Sequence, residues 1–552
     1  MKIRRIAVPL LLVSILISGF AVSKDTLEEI RYLAIQHNGR VKPFDSFARE
    51  ALAQITGSPR FKNQDPVETI LRISVPSEKR ESVPLISVPF IPLREALGLD
   101  RKTTHVSYED LISARKLMKM LPPIVQKQQR DEKLTILENE TMDVYNRFVL
   151  LSNLFGQKLN FVPPALDSTS QPLTASSSWL PIVNPSNGGY PADQEVSFRA
   201  EWFRLTSGIS TGNSGAAISS ARRLRELLLA ANPKAYPSFW KLRLEVFYNR
   251  FQPFHLSMIL YGLAALGLGL GWAGWVKGRI CSWSMGLVWG GFLLHGMGIF
   301  LRVILGERPP VSNFYETMLW LPFVAVALCL FFERIYRSNV FALAASFLAA
   351  VVLLLADHLP LDPSISPVVA VLRSNLWLTV HVLTVVASYG ALTLAVVLAH
   401  LYGILYLSRK EGSERRAAME IFLYRSLQVG VVLLAAGIML GGVWANASWG
   451  RFWGWDPKET WALITLLWFL AVLHGRFAGW LKGVGFALST IGGFFLLLMT
   501  YYGVSFYLVG LHGYAGGHAK PLPVLLIVYL IAETVFMFSI GIAAANRRQP
   551  AS

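Results

Sequence analysis

A succession of long apolar runs in the second half of the chain limits most strongly what it can fold into. Nine runs after residue 254 are each close to the length of about 20 apolar residues that carries a helix across a bilayer. These runs are 256–275, 281–301, 316–333, 340–356, 377–407, 425–446, 458–474, 483–507 and 521–544. The mean hydropathy of +0.43 over 552 residues agrees with this pattern. The predicted fold class is mainly α: a polytopic helical membrane protein with nine core spans.

The basic residues predict the orientation of these spans. Basic clusters occupy every second connection and the C-terminal tail, which is the positive-inside pattern if the chain before the first span lies outside. The clusters are Lys277 with Arg279, Arg334 with Arg337, Arg409–Arg416, Arg476 with Lys482, and Arg547 with Arg548. The same count places the connection Asn446–Asp456 on the outer side.

The first half of the chain predicts a leader followed by an exported domain. Lys2, Arg4 and Arg5 precede an apolar segment, so residues 1–23 are either a cleaved signal peptide or a retained anchor helix. Residues 24–254 are polar and free of cysteine, and they contain a Pro/Ser/Asn/Gly-rich stretch typical of a long loop at Pro163–Pro191. Helical patterns occur at Phe44–Ile55, Tyr108–Met120, Leu134–Phe155 and Ala217–Ala231. We expect an exported, mostly helical domain at 24–254 and a membrane domain at 255–552.

Charge and cysteine content exclude two classes of protein. The formal net charge of +17 invites a nucleic-acid-binding interpretation, but the basic residues lie mainly at the ends of the apolar runs, as topology requires. No nucleic-acid partner is therefore expected. Cys281 and Cys329 are the two cysteines of the sequence and are far apart, which excludes a disulfide scaffold and a Cys-x-x-Cys redox site within this chain.

A tryptophan-rich segment, residues 449–461, lies between the sixth and seventh runs. Asp456 is a favourable N-cap, Pro457 suits the first helical position, and Glu459 can complete a capping box, so a helix is predicted to begin here. The glycines and tryptophans before it predict a loop that presents flat indole faces. An interfacial tryptophan belt explains one or two such residues. Six tryptophans between Trp444 and Trp468 favour a binding surface for a large, flat, apolar ligand.

Two histidines are predicted at the same outer level as this segment. His381 lies one turn into the fifth run, and His512 follows the eighth. Each alone is more typical of a hydrogen-bonded structural histidine, but a pair beside an aromatic surface could bind a metal or supply both axial ligands of haem iron. His474 ends the helix that begins at Pro457, about 25 Å away and near the inner surface, where it is either a C-terminal cap or a second, inner ligand.

Other residues are weaker candidates. His295 and His400 could be membrane partners of His474, and His255 and His358 lie at the outer edge. Four arginines are predicted outside and could pair with carboxylates of a ligand through their fixed fork, or could simply anchor the topology. They are Arg302, Arg308, Arg373 and Arg451.

The ordered motifs resemble a known family. The run Trp-Gly-Arg-Phe-Trp-Gly-Trp-Asp-Pro-Lys-Glu-Thr-Trp at 449–461 resembles the tryptophan-rich "WWD" signature of haem-handling proteins. Its ending, together with Leu473-His474-Gly475-Arg476, resembles the CcsA (ResC) family, the membrane components of the System II cytochrome c synthetase. The resemblance extends to Trp377–Val382, to Gly510-Leu511-His512 and to the Arg-Pro-Pro-Val-Ser-Asn-Phe-Tyr-Glu loop, and covers roughly 255–545. Residues 35–48 resemble the exported extension of longer members.

The resemblance implies cytochrome c biogenesis in a bacterial cytoplasmic membrane. Haem b would be exported and held at an outer site for thioether attachment to the Cys-x-x-Cys-His motif of apocytochrome c, a haem-lyase type of holocytochrome c synthetase. His381 and His512 would be the outer axial pair and His474 an inner ligand. The residues expected to hold the porphyrin are Trp449, Arg451, Trp453, Trp455, Asp456 and Trp461.

The chain departs from the family pattern at the inner site. The full synthetase includes a second membrane component, CcsB (ResB), which carries another inner ligand, and residues 24–254 do not obviously supply it. We therefore expect a separate CcsB-like partner, and a thiol-reducing partner for the client's cysteines.

Three alternatives remain at this stage. The nearest is a haem exporter or chaperone without synthetase activity. A secondary transporter for a small solute is less favoured, because inverted repeats and midplane polar residues are not evident. A membrane assembly scaffold built around the exported domain leaves the histidines and tryptophans unexplained.

Overall fold

The computed structural model describes residues 22–61, 63–77, 80–130, 132–166, 178–186, 189–359, 361–367, 375–408, 413–508, 510 and 523–547. Residues 1–21 of the predicted leader, His512 and Arg373 lie outside these residues, as does part of the predicted loop 163–191. The chain divides into two compact units, which meet in sequence between Phe251 and Gln252.

The first unit is mostly helical with two small hairpins. Its strands are β1 (Ala34–His37), β2 (Arg40–Pro43), β3 (Pro84–Ser87) and β4 (His105–Ser107), paired antiparallel as β1–β2 and β3–β4. Its helices are α1 (Lys24–Arg31), α2 (Phe44–Thr56), α3 (Pro66–Ser74), α4 (Ile91–Leu97), α5 (Tyr108–Ala114), α6 (Lys116–Gln129), α7 (Ile136–Phe155), α8 (Ala192–Thr211), α9 (Ser214–Ala231) and α10 (Phe239–Phe251), with a 3-10 turn at Arg80–Ser82.

Three of the four predicted helices in this unit are confirmed as α2, α7 and α9. The fourth, Tyr108–Met120, is divided because Arg115 takes a left-handed conformation with φ of 51° between α5 and α6. Helix α8 was not predicted. Its buried positions, Phe198, Trp202 and Leu205, recur at helical spacing but lie among polar residues that weaken the pattern.

A buried network of charges joins the first hairpin to helix α10. Glu245 accepts hydrogen bonds from Arg40 through both carboxylate oxygens, at 2.8 and 2.5 Å, and from Ser46 Oγ at 2.6 Å. Asp45, fully buried on α2, is held by Arg31 and Arg49. Burial alone would raise the pKa of Asp45, but the two guanidiniums reverse the effect and lower it. The motif at 35–48 therefore folds into the core of this unit.

His37 makes the first unit sensitive to acid. Its ring packs edge-on against Phe47, its Nε2 is buried without an acceptor, and burial together with the charge of Lys42 lowers its pKa to about 4. The unfolded state binds a proton at His37 more readily than the folded state does. The stability that the neutral, buried His37 contributes is therefore complete above pH 6.5 and is lost as the pH falls towards 4. The loss is about 3 kcal/mol at most.

Pulse proteolysis of the full-length protein, following peptides from residues 24–250, should show this loss between pH 6.5 and 4. His37→Gln should flatten that part of the profile. His105→Gln, on the other hairpin, should leave it unchanged. An unaltered profile in His37→Gln would assign the acid sensitivity to other groups.

The second unit consists of helices that match the predicted spans. They are α11 (Pro253–Trp272), α12 (Arg279–Gly306), α13 (Phe314–Tyr336), α14 (Val340–His358), α15 (Asn375–Ser408), α16 (Ser413–Trp449), α17 (Pro457–Phe477), α18 (Gly483–Leu498), α19 (Val504–Tyr507) and α20 (Val524–Asn546). A single π turn, Met499–Gly503, joins α18 to α19. Within the described part of the chain, nine candidate spans are long and apolar enough to cross a membrane, the first including α10. The prediction of a polytopic helical membrane protein is confirmed.

Helices α15 and α16 form the most extensive pair in the second unit. Glycines on α16 allow the close approach: a Cβ at Gly430 would lie 2.6 Å from the Leu392 side chain, and one at Gly437 would lie 2.5 Å from Val385. Small residues at such positions are typical of membrane helix interfaces. The pair brings His381 on α15 next to the C-terminal half of α16.

Helix α16 is longer than predicted at both ends. It begins at Ser413 and continues to Trp449, rather than covering 425–446. No proline occurs between Ser413 and Trp449, and the φ of 72° at Gly450 ends the helix in the left-handed conformation that glycine adopts without strain. Trp449 is therefore the last helical residue and not part of a loop.

Candidate functional site

The start of α17 has the predicted capping geometry. Asp456 Oδ1 accepts a hydrogen bond from the Lys458 backbone N–H at 2.9 Å, and Pro457 is the first helical residue. Glu459 Oε2 accepts the backbone N–H groups of Asp456 at 3.2 Å and of Gly454 at 2.9 Å. The predicted capping box is confirmed, and Glu459 additionally fixes the loop before it.

The loop before α17 holds its tryptophans in a strained arrangement. Trp455 has a φ of 55°, which is rare for a bulky residue, and its side chain is 70% exposed. Its ring meets that of Trp453 edge-on at 5.8 Å. The Trp453 Nε1 is buried without a hydrogen-bond acceptor. An exposed indole and an unsatisfied buried N–H suit a surface completed by a ligand.

His381 on α15 is oriented by α16. Its Nδ1 lies 2.9 Å from the Gly437 carbonyl oxygen, which can accept only if Nδ1 carries the proton. That assignment leaves the lone pair on Nε2, the atom that a histidine offers to a metal. A Cβ at Gly441 would lie 2.6 Å from the ring carbon Cε1, so the imidazole fits because residue 441 is glycine.

A row of rings connects His381 to the end of α16. The imidazole lies nearly parallel to the indole of Trp444, with centroids 6.0 Å apart and an interplanar angle of 14°. Trp444 in turn meets Trp449 edge-on at 4.8 Å. Phe452 packs over Gly442, where a Cβ would lie 2.5 Å from its ring. The structure thus brings His381 together with the tryptophan-rich segment, although 68 residues separate it from Trp449 in sequence.

The segment that precedes His512 also reaches the start of α17. A Cβ at Gly510 would lie 2.5 Å from Asp456 Oδ2 and 3.0 Å from Pro457 Cδ. Only glycine fits this approach without displacing the cap. His512 follows two residues later in sequence and lies outside the described residues, so its role stays a prediction.

Trp461, one turn into α17, is half-buried, and its carbonyl accepts a hydrogen bond from Thr500 Oγ1 at 2.9 Å. This hydrogen bond links the backbone of Trp461 to the π turn, and not to the row of rings. Its predicted part in holding a porphyrin is not tested by this arrangement.

His474 lies in the last turn of α17, and its side chain is exposed. Its Nδ1 lies 2.8 Å from the Leu470 carbonyl oxygen, which again leaves the Nε2 lone pair available. Ile464, Leu467 and Ala471, at helical spacing on the same face, are exposed as well. This face of α17 points away from the rest of the second unit.

The arginines predicted on the outer side fall into two groups. Arg302 and Arg308 are buried and share Glu316: Arg302 Nη2 lies 2.8 Å from Oε1 and Arg308 Nη1 lies 2.7 Å from Oε2. Arg451, by contrast, is exposed in the tryptophan-rich loop, with its guanidinium beside Gly454. The structure describes three of the four candidate arginines. Among these three, Arg451 is the one accessible to a ligand carboxylate.

The weaker histidine candidates lie among other contacts, and both ring nitrogens of His295 are buried without a hydrogen-bond partner. His295 is enclosed by the rings of Phe254, Tyr261 and Phe323. His400 Nε2 lies 2.8 Å from Glu533 Oε1, and His255 Nδ1 lies 3.2 Å from Asp357 Oδ2. His358 Nδ1 lies 2.9 Å from the Leu354 carbonyl oxygen in its own helix.

The donors present suit a metal that already carries most of its ligands. Among the described residues, no three His, Cys, Asp or Glu side chains come together as a metal site. Haem iron takes four nitrogens from its porphyrin and needs protein donors only at the axial positions. One imidazole oriented through its Nδ1, beside a row of indoles, fits that requirement.

Sequence reasoning did not identify Gly437 and Gly441, which position the imidazole. The sequence pattern that could have indicated them is the spacing of glycines along one apolar helix, at Gly430, Gly437 and Gly441. Such a spacing is typical of a helix face that another helix approaches closely. Which helix packs there, and which side chain of it, depends on the tertiary register.

Comparison with known proteins places these features in a family. The family model for cytochrome c assembly proteins matches residues 311–512, which include the tryptophan-rich segment, His381 and His512. The protein NrfI of Wolinella succinogenes is 30% identical over 518 residues, which cover 88% of this chain and 54% of NrfI. The cytochrome c biogenesis protein CcsA of Prochlorococcus marinus strain NATL2A is 34% identical over 244 residues, covering 37% of this chain and 76% of that protein. The strain MIT 9312 protein of the same name is 33% identical over 257 residues. The chain thus spans about half of NrfI and about three quarters of the CcsA proteins.

Proposed function

Because the chain belongs to the CcsA family of cytochrome c biogenesis proteins, we propose that its membrane unit exports haem b and presents it on the outer side for attachment to apocytochrome c. The unit binds haem at an outer site between His381 and His512, against the tryptophan-rich segment. By the positive-inside pattern, this site and the first unit face the exported side of a bacterial cytoplasmic membrane.

The single observation that carries the proposal is the environment of His381. Its Nδ1 contacts the Gly437 carbonyl, and its ring continues through Trp444 to Trp449 at the tryptophan-rich segment. A carbonyl partner on the second nitrogen raises the basicity of an imidazole ligand and fixes its direction. Arg451 pairs with a haem propionate in this proposal; its exposure supports that role, whereas Arg302 and Arg308 are engaged by Glu316.

The inner site needs a second protein. His474 has a free Nε2 on an exposed, otherwise apolar face of α17. A face of this kind supports docking of a CcsB-like partner, whose own residue supplies the second inner ligand. Haem then passes from His474 to the outer site, roughly 25 Å away along α17.

Attachment uses nucleophiles that the client provides. The two thiols of Cys-x-x-Cys-His add to the haem vinyl groups, and the client's histidine takes an axial position on the iron. This chain contributes chiefly positioning, which makes the additions effectively intramolecular. Cys281 lies on α12 and Cys329 on α13, and the sequence has no Cys-x-x-Cys pair, so a separate thiol-reducing partner reduces the client's cysteines.

The test is co-expression of this chain with a CcsB-like partner and an apocytochrome c, followed by an absorption spectrum of the purified complex and a covalent-haem stain. We expect a bis-histidine haem spectrum and stained cytochrome. Trp453→Ala should lower both, while Trp275→Ala, which changes a tryptophan 78% exposed near the other end of the membrane unit, should lower neither.

The outcomes separate the functions considered. Bound haem that is never attached, with all partners present, would indicate an exporter or chaperone. No bound haem and no stained cytochrome would refute the proposal.

A further inference from the structure

A single carboxylate lies within the last apolar helix. Glu533 is the one acidic residue of α20, and it lies roughly 14 Å along the helix from Val524 and roughly 20 Å from Asn546. Glu533 and Ile540 are the two buried residues of α20, and the other side chains of this helix are partly or fully exposed. A carboxylate at such a depth in a membrane is costly, so it requires a partner.

His400 on α15 is that partner. Its Nε2 lies 2.8 Å from Glu533 Oε1. Its ring stacks on Phe536 of α20, with centroids 5.1 Å apart and an interplanar angle of 8°. Gly403 allows the two helices to approach, because a Cβ there would lie 2.5 Å from Ile540 Cδ1. Both buried positions of α20 therefore face α15.

The second ring nitrogen of His400 defines its protonation. Nδ1 lies 2.8 Å from the Val396 carbonyl oxygen, which can only accept, so Nδ1 carries a proton. In a neutral imidazole the lone pair is then on Nε2, the atom that faces Glu533. Two atoms with lone pairs repel each other at 2.8 Å unless one of them carries a proton. One further proton therefore lies between them, on Nε2 as an imidazolium or on Oε1 as a carboxylic acid, and in either case the pair is neutral overall.

The groups around the pair do not replace this proton. The Tyr529 hydroxyl, one turn before Glu533 on α20, donates to the same carboxylate. Helix α18, which packs against both α15 and α20, has no ionisable side chain between Gly483 and Leu498. Glu420 on α16 pairs with Arg476 at 3.1 Å. Among the residues that the structure describes, the histidine is the one basic group in ion-pair contact with this carboxylate.

We propose that His400 and Glu533 form a proton-binding site within the membrane unit, and that the bound proton holds α20 against α15. The site is separate from His381, which lies 19 residues, or about 28 Å, away along α15. Release of the proton to water leaves a carboxylate facing the Nε2 lone pair, with a net charge of −1. An uncompensated charge is costly in this environment, so α20 is held less firmly as the pH rises.

The test compares the wild type with Glu533→Gln. Glutamine keeps the shape of the side chain, and its amide N–H can donate to Nε2 without a proton that titrates. Glu307→Gln, which changes an exposed carboxylate of the same unit, is the matched control. His400→Gln, which removes the lone pair that shares the proton, serves as the second variant if Glu533→Gln is poorly produced.

Two quantities are measured on the full-length protein in lipid nanodiscs while the pH is raised. The first is the infrared difference spectrum, which shows the loss of a carboxylic acid or of an imidazolium. The second is the distance between spin labels on α20 and α15, attached through Val528→Cys and Ile404→Cys in a cysteine-free background, since both positions are exposed. Neither measurement needs bound haem, so the outcome does not depend on the proposed function.

We expect the wild type to lose one proton per molecule in the infrared titration, and the distance distribution to broaden over the same pH range. Glu533→Gln should lack that infrared signal and keep a narrow distribution throughout, whereas Glu307→Gln should match the wild type. In His400→Gln the transition should move to a different pH, because the carboxyl group has lost the base that shares its proton.

A wild type without the infrared signal, or a Glu533→Gln variant that keeps it, would overturn the assignment of the proton to this pair. If the signal is present and the distance distribution does not change with it, the proton does not hold α20 against α15.

Discussion

Replacing His381 by alanine should weaken haem binding at the outer site by about 100-fold or more, because an axial ligand contributes more than the groups that orient it. The bound haem that remains should change from a six-coordinate low-spin spectrum to one with a single histidine ligand. Added imidazole should restore the original spectrum. The space left by the side chain is lined by the Trp444 face and Gly441, and the Gly437 carbonyl can accept the N–H of a free imidazole as it accepts that of His381.

His358→Ala provides the control, since that histidine is exposed at the end of α14 and contacts a carbonyl of its own helix. Its spectrum should match the wild type. If His381→Ala keeps the wild-type spectrum and affinity, the outer site lies elsewhere.

Gly441→Ala alters the same site on α16, the helix that packs against His381. The added methyl group would lie 2.6 Å from Cε1 of His381, so the ring must move. Haem binding should fall, and free imidazole should not restore it, because the methyl group occupies the space that the ring needs. Gly286→Ala on α12, where the new Cβ meets nothing within 4 Å, should leave binding unchanged.

Local patterns in the sequence were sufficient to predict the helices and their caps. They were insufficient to predict which helices contact each other. The nine spans follow from the length of the apolar runs, and the capping box follows from Asp456, Pro457 and Glu459, which lie within four residues. Both could therefore be predicted. The partners of His381 lie on another helix, at positions 437, 441 and 444, and their identity depends on how α15 and α16 pack. The arginines predicted on the outer side show the same limit. Arg302, Arg308 and Arg451 look alike in sequence, and only the fold shows that Glu316 engages the first two.

The boundaries of α16 and the π turn differ from expectation for a physical reason. Helix α16 continues past the apolar run because Ser413–Arg425 contains good helix formers and nothing before Gly450 stops it. The π turn is stabilised by contacts from α13 and α17, at Thr317 and Lys458. Neither contact can be read from residues 499–503 alone.

Glu316 forms ion pairs with both Arg302 and Arg308, and breaking these pairs should have the largest effect on stability. All three charged side chains are at most 5% exposed, and Glu316 also accepts the Ser312 N–H and hydroxyl, both at 2.9 Å. Arg302 reaches onward to the Pro363 carbonyl at 2.9 Å, so the cluster connects α12, the start of α13 and the loop at 361–367. Removing the one carboxylate leaves two guanidiniums buried without it.

Glu316→Gln keeps the shape of the side chain and removes its charge. We expect it to destabilise the membrane unit by about 3–5 kcal/mol, the usual cost of breaking a buried ion pair from one side. Glu307→Gln, an exposed carboxylate nine residues earlier, should cost less than about 0.5 kcal/mol. Thermal unfolding in detergent, followed by loss of the monodisperse protein, should separate the two variants by more than about 5 °C. Equal unfolding temperatures would mean that the guanidiniums find water or other acceptors when the carboxylate is lost. In that case Arg302 and Arg308 would again become candidates, with Arg451, for holding a haem propionate.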